Sequence, residues 1–112
     1  MNECALTNEL CAKLTAMGAQ VYPLIGSTLA PVGWPDRYIS HVRWRGFCEF
    51  KLLGAWLTDR QFERCCRLVE NGDNVVVVVM REKSKGNVFT IHSVHLGSFD
   101  SCHGFMEVLC TV

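Results

Sequence analysis

Apolar side chains recur every three to four residues at the start of the chain, with Leu6, Leu10, Leu14 and Met17 on one stripe. That period predicts an amphipathic helix over roughly residues 3–17, stopped by Gly18. Ala19–Leu24 reads as a short strand, confined to a sheet edge by Pro23, and residues 25–35 (IGSTLAPVGWP) read as a loop. Arg37–Trp44 and Phe47–Leu53 alternate as two strands around a turn at Arg45-Gly46. Thr58 opens a second helix, with Phe62, Cys65, Cys66 and Val69 as its expected buried face and Asn71-Gly72 as its end. The β-branched run Val75–Met80 has the pattern of a strand covered on both faces. A turn at Lys83–Gly86, a returning strand Asn87–Val94 and a short helix over 99–110 complete an α/β chain with a mixed sheet.

A length of 112 residues fits one domain with one sizeable core. The longest apolar run is far shorter than the ~20 residues of a membrane span. Glu3, Glu9 and Lys13 interrupt the N-terminal stretch, so no secretory leader is expected. The seven cysteines are then expected to be reduced thiols, with Cys11, Cys65 and Cys66 acting as small core hydrophobes. The formal net charge is zero, but Arg37, Arg43, Arg45, Lys51, Arg60, Arg64 and Arg67 fall within one 31-residue stretch. Arg60, Arg64 and Arg67 share a helix face at i, i+4, i+7 spacing. On charge alone this is an ordinary solvated face.

The chemistry concentrates in GWPDRYISHVRWRGFCEFK, residues 33–51. Glu49 and Lys51 are two apart on one strand and therefore point to the same side of the sheet. Two carboxylates brought together repel, and one takes up a proton unless a cation lies between them. Mg²⁺ or Mn²⁺ suits such an oxygen-donor site, lowering the pKa of bound water and neutralising phosphate charge. Taken singly, each residue has a plainer reading. Asp36 after Pro35 can be a turn residue, Glu49 and Lys51 a cross-strand ion pair, and Thr58-x-x-Gln61 a capping box. A tight turn at Arg45-Gly46 would pair Glu49 with Val42, so bringing Asp36 to Glu49 requires a bend or bulge near Asp36, or a wider turn.

The ordered set Gly33-x-Pro35-Asp36, Glu49-x-Lys51 and Gln61 at a helix start, followed by a valine strand, resembles the PD-(D/E)XK nucleases. More narrowly, roughly residues 3–80 resemble the VRR-NUC branch, a virus-type replication and repair nuclease module. The resemblance implies a restriction-endonuclease-like fold, a mixed β-sheet flanked by helices with an αβββαβ core plus a C-terminal strand and helix. It implies that Asp36 and Glu49 bind Mg²⁺ or Mn²⁺, with the Phe50 backbone carbonyl as a further ligand. Lys51, charged beside two carboxylates, is a poor base; its implied role is to orient water and stabilise developing phosphorane charge. Gln61 completes the catalytic set. An acidic residue on the first helix also joins such sites; Glu3, fifteen positions before Gly18, matches that place, with Glu9 as second choice.

The implied activity is metal-dependent, structure-selective DNA endonuclease cleavage of the Holliday-junction-resolvase type, by a homodimer on branched or duplex DNA, leaving a 5′-phosphate. The implied setting is the cytoplasm of a bacterial or phage-infected cell, away from membranes. Arg37, Arg43, Arg60, Arg64 and Arg67 are the candidate DNA contacts. Two rivals stand beside this reading: a nucleic-acid- or protein-binding module that does not cut, and a nuclease acting on RNA. Zinc is not expected, because Cys65-Cys66 and Cys102-His103 lack ligand spacing. Trp34, Trp44 and Trp56 flank the motif; Trp44 is expected in the core.

Overall fold

The computed structural model describes residues 3–24, 33–82, 89–95 and 105. Helix α1 (Glu3–Ala16) leads into strands β1 (Gln20–Pro23), β2 (Arg37–Ser40) and β3 (Arg45–Leu52). Helix α2 (Asp59–Glu70), β4 (Val75–Glu82) and β5 (Phe89–His95) follow. The strands lie in the order β1-β2-β3-β4-β5. β1, β2 and β3 are successively antiparallel, β3 and β4 are parallel across the α2 crossover, and β5 returns antiparallel to β4. This is the mixed sheet with flanking helices expected from the sequence. The expected turn at 83–86 lies outside the described residues, as does all of the expected 99–110 helix except Phe105, which is helical and buried.

Each helix covers one face. Leu6, Leu10 and Leu14 of α1 pack with Ile39, Cys48, Phe50, Val76, Val78 and Met80. Leu57, Cys65 and Leu68 pack over Val75 and Val77 on the opposite face. The valine run is thus buried on both sides, because alternate residues serve different helices. Phe62 departs from expectation: it is exposed, and Leu68 takes the buried position. Leu57, just before the helix, joins the same cluster.

The β2–β3 turn is also displaced from its expected place. β2 ends at Ser40, and the connection is His41–Trp44, while Arg45 and Gly46 already belong to β3. His41 holds this turn: it exchanges backbone hydrogen bonds with Trp44, its Nδ1 accepts from the Arg43 N–H, and its Nε2 lies 2.9 Å from the Met17 carbonyl. Gly46 is not a turn glycine. A Cβ there would sit 2.5 Å from the Asn74 carbonyl oxygen, so its smallness serves the close approach of the segment entering β4.

Candidate metal centre

The wider turn resolves the pairing of the candidate carboxylates. Arg37 lies opposite Cys48, so continuing the register by one residue sets Asp36 opposite Glu49. One further step would set Pro35 opposite Phe50, where the ladder cannot continue because proline carries no N–H. The chain bends at Asp36, and β3 runs on past the end of β2, still paired with β4 but open on its β2 edge. No bulge is needed.

Side chains take over where the ladder stops. The Phe50 N–H donates to Asp36 Oδ2 at 3.1 Å, and the Asp36 N–H donates to Glu49 Oε1 at 3.0 Å. Two residues on, the Leu52 N–H donates to Glu3 Oε2 at 3.2 Å. Lys51 Nζ stands 3.6 Å from Glu49 Oε2, with the two side chains 12 % and 2 % exposed. Glu49 and Lys51 share the α2 face with Phe47, as the two-residue period requires.

The electrostatics are those of a site short of positive charge. Burial first, and then the nearby Asp36 charge, push the Glu49 carboxyl up to about 8, with Lys51 offsetting only part. Burial likewise raises Asp36, against the Phe50 N–H and Arg37, which lower it. Cys65, on the same face, is pushed to about 11, first by burial and then by the Glu49 charge. Cys48 is raised well above an ordinary thiol by complete burial.

The donor set fits a hard divalent cation. Asp36 and Glu49 each have one oxygen committed to a backbone N–H, and the second Glu49 oxygen faces Lys51 Nζ at 3.6 Å. The Phe50 N–H faces Asp36, and a strand residue's carbonyl points to the same edge as its N–H. The Phe50 carbonyl therefore faces the gap that Pro35 leaves. Among the described residues, no three His, Cys, Asp or Glu side chains converge closely enough to hold a metal by themselves. Two carboxylates and a carbonyl, completed by water and phosphate, match the partial protein coordination usual for Mg²⁺.

The remaining candidates are distributed unevenly. Gln61 forms both halves of a capping box with Thr58: its side-chain oxygen accepts from the Thr58 N–H, and its own N–H donates to Thr58 Oγ1. Arg60, Arg64 and Arg67 line one shallow depression of about 200 Å³ together with Glu63. Arg64 lies 5.4 Å over the Trp34 ring, which packs edge-on against Phe47. Arg37 instead serves the other side, donating to the Asp36 carbonyl at 3.0 Å and bonding Cys11. Arg43 sits in the distant turn, about 15 Å from Glu49 at ~3.3 Å per strand residue. Glu9 is about 1.7 turns further along α1 than Glu3, about 9 Å at 1.5 Å per residue. Trp44 is buried against Phe105, as expected, whereas Trp56 is half exposed.

Gly33, the first residue of the motif Gly33-x-Pro35-Asp36, has a structural part of its own. It has φ +91°, and a Cβ there would sit 3.0 Å from the Arg60 carbonyl oxygen, so it seats the Trp34–Asp36 segment on the first turn of α2.

No family model matches the chain, and no curated protein matches it. Among solved structures, its fold is similar to that of Hjc from Archaeoglobus fulgidus, a Holliday junction resolvase from an archaeal hyperthermophile. The TM-score is 0.54 at 20 % identity, covering 70 % of this chain and 67 % of that one. At that identity the likeness bears on the fold, and it agrees with the architecture expected from the Asp36–Glu49–Lys51 motif.

Proposed function

We propose that this chain, as one domain, is a divalent-metal-dependent DNA endonuclease of the PD-(D/E)XK type, of the VRR-NUC branch, acting on branched DNA. The observation that carries the reading is the junction of β2 and β3. Pro35 ends the ladder, and Asp36, Glu49, Lys51 and the Phe50 carbonyl converge beside the opening. The likeness in fold to a Holliday junction resolvase supports a structure-selective substrate and a homodimer, whose two-fold symmetry suits a four-way junction.

Asp36, Glu49 and the Phe50 carbonyl hold Mg²⁺ or Mn²⁺, which when bound activates water and screens the phosphate charge. Lys51, anchored by Glu49, orients the attacking water and meets negative charge developing on the phosphate. Gln61 Oε1 is engaged in the helix cap, so its amide nitrogen is the group offered to phosphate. Arg60, Arg64 and Arg67 contact the DNA backbone on the α2 face, the face that also carries Glu49 and Lys51. Arg43 belongs to a peripheral contact.

Cleavage and binding of labelled duplex, single-stranded and four-way-junction DNA, each with Mg²⁺, with Mn²⁺ and with EDTA, test this reading. Metal-dependent cutting with a preference for the junction is the expected result. Salt-sensitive binding without cutting under either metal assigns the chain to the binding-module class instead.

A further inference from the structure

The two-residue period that sets Glu49 and Lys51 toward α2 continues across the sheet as a row of aromatic rings. Phe47 shares their face, Tyr38 lies opposite Phe47 and Tyr22 opposite Tyr38, so all three point to one side. Ring centroids stand 6.5 Å apart from Tyr22 to Tyr38, 5.1 Å from Tyr38 to Phe47 and 5.5 Å from Phe47 to Trp34, over which Arg64 lies. The row adjoins the candidate metal centre. Tyr38 is two residues from Asp36 and Phe47 two from Glu49, about 7 Å in each case at ~3.3 Å per strand residue.

α2 does not bury the whole row. Its packed side chains meet β4, Phe47 and Trp34, and cover thins outward until Tyr22 is 48 % exposed. The Tyr22 hydroxyl donates to Gln20 Oε1 at 2.6 Å, which fixes the orientation of the ring. On the other side of the same strands Val21, Ile39 and Cys48 pack under α1. Beside the tyrosines, β1 and β2 bring only Gln20 and Ser40 to the aromatic face, and Arg45 and Arg64 border it. Flat rings for bases, next to guanidinium groups for phosphates, complement a single nucleic-acid strand. A two-fold contact through this face would instead bring two arginine-bordered surfaces together.

We propose that Tyr22 and Tyr38 form a stacking platform for unpaired bases of the strand to be cut, so that the substrate is branched DNA with unpaired nucleotides at its branch point. This deepens the nuclease reading above and rests on it for the place of the cut. Stacking tolerates any base, so the platform selects unpaired over paired DNA and reads no sequence.

The test is binding by the metal-free protein in EDTA. The probes are a single strand of about twelve nucleotides carrying one 2-aminopurine, and a duplex of the same length. Tyr22→Ala and Tyr38→Leu should each weaken single-strand binding about fivefold to thirtyfold while duplex affinity stays within about twofold. The 2-aminopurine fluorescence that wild type quenches by stacking should recover in both. Tyr22→Phe and Tyr38→Phe keep the ring and should bind within about twofold of wild type. All four should keep the wild-type salt dependence, because no phosphate contact is lost. Tyr22 is half exposed and leucine keeps the apolar body of Tyr38, so neither change empties the core.

A wild type that does not bind the single strand, or single-strand binding unchanged in both Tyr22→Ala and Tyr38→Leu, would overturn the proposal. So would equal weakening on duplex, or a fall in native mass of Tyr22→Ala in sedimentation, which would make this face a contact between copies. Binding needs neither metal nor cutting, so the two readings fail separately. Tyrosine-dependent stacking without cleavage sinks the nuclease reading and leaves the platform; metal-dependent cleavage with tyrosine-independent binding sinks the platform alone.

Discussion

Glu49→Gln should stabilise the metal-free protein at alkaline pH, by an amount that grows with pH. In the unfolded chain the Glu49 carboxyl titrates at its ordinary 4.5, and in the fold burial and the Asp36 charge push it up to about 8. Between those values the folded state binds the additional proton, so stability falls as pH rises from about 4.5 and levels off above about 8. At 1.36 kcal/mol per pKa unit the ceiling is about 5 kcal/mol, and relaxation around the charge leaves about 2–5 kcal/mol. That is a large fraction of the ~5–15 kcal/mol that holds a domain folded. Glutamine fills the same space, still accepts the Asp36 N–H and never ionises, so this part of the pH dependence vanishes. Asp36 is shifted in the same direction and leaves a residual slope in the variant. Urea unfolding of both proteins in EDTA across pH 4–9.5 measures the difference. The curves should nearly meet at the acid end and diverge to a plateau above pH 8. Adding Mn²⁺ at about a hundred times its dissociation constant should return about 2.7 kcal/mol to wild type at pH 9 and little to the variant. Parallel curves, or a wild type that becomes more stable relative to the Glu49→Gln variant as pH rises through 5–8, would refute the account of a buried carboxylate waiting for a cation.

Gly33→Ala should lower stability by about 1–3 kcal/mol in urea unfolding and slow cleavage at least tenfold, because the added methyl meets the Arg60 carbonyl and displaces Asp36. Gly72→Ala, also at positive φ but with open space around its Cβ, should cost about 1 kcal/mol and leave cleavage unchanged. Thiol labelling of the native protein should modify exposed Cys4 readily, whereas Cys48 and Cys65, buried and with raised thiols, should react only on unfolding, read by mass spectrometry. Replacing Arg60, Arg64 and Arg67 by glutamine should weaken DNA binding and flatten its log–log salt dependence by about 2–3, roughly one per lost phosphate contact.

Features that depend on neighbours in the chain were the legible ones. The Thr58-x-x-Gln61 cap, the leucine stripe of α1, the Pro23 edge strand and the shared face of Glu49 and Lys51 all follow from local period or turn chemistry. The β2–β3 turn was misplaced because Arg45-Gly46 has the local signature of a turn. The actual turn is held by His41 through the Met17 carbonyl, 24 residues away, and Gly46 answers to Asn74. The bond from Leu52 to Glu3 spans 49 residues and leaves no sequence pattern. Phe62 was assigned to the core because helical period identifies a stripe but not where the sheet beneath it ends. Pro35 was read as motif and loop residue; its effect, ending the ladder beside Phe50, emerges only from the register.

The central claim is that Asp36, Glu49 and Lys51 form one metal-dependent cutting site, and single-turnover cleavage of a four-way junction in Mn²⁺ tests it most directly. Asp36→Ala, Glu49→Ala and Lys51→Ala should each lower the rate at least a hundredfold while junction affinity in Ca²⁺ stays within about threefold, and EDTA should abolish cutting by wild type. Cleavage that persists in Asp36→Ala or in EDTA would contradict the account.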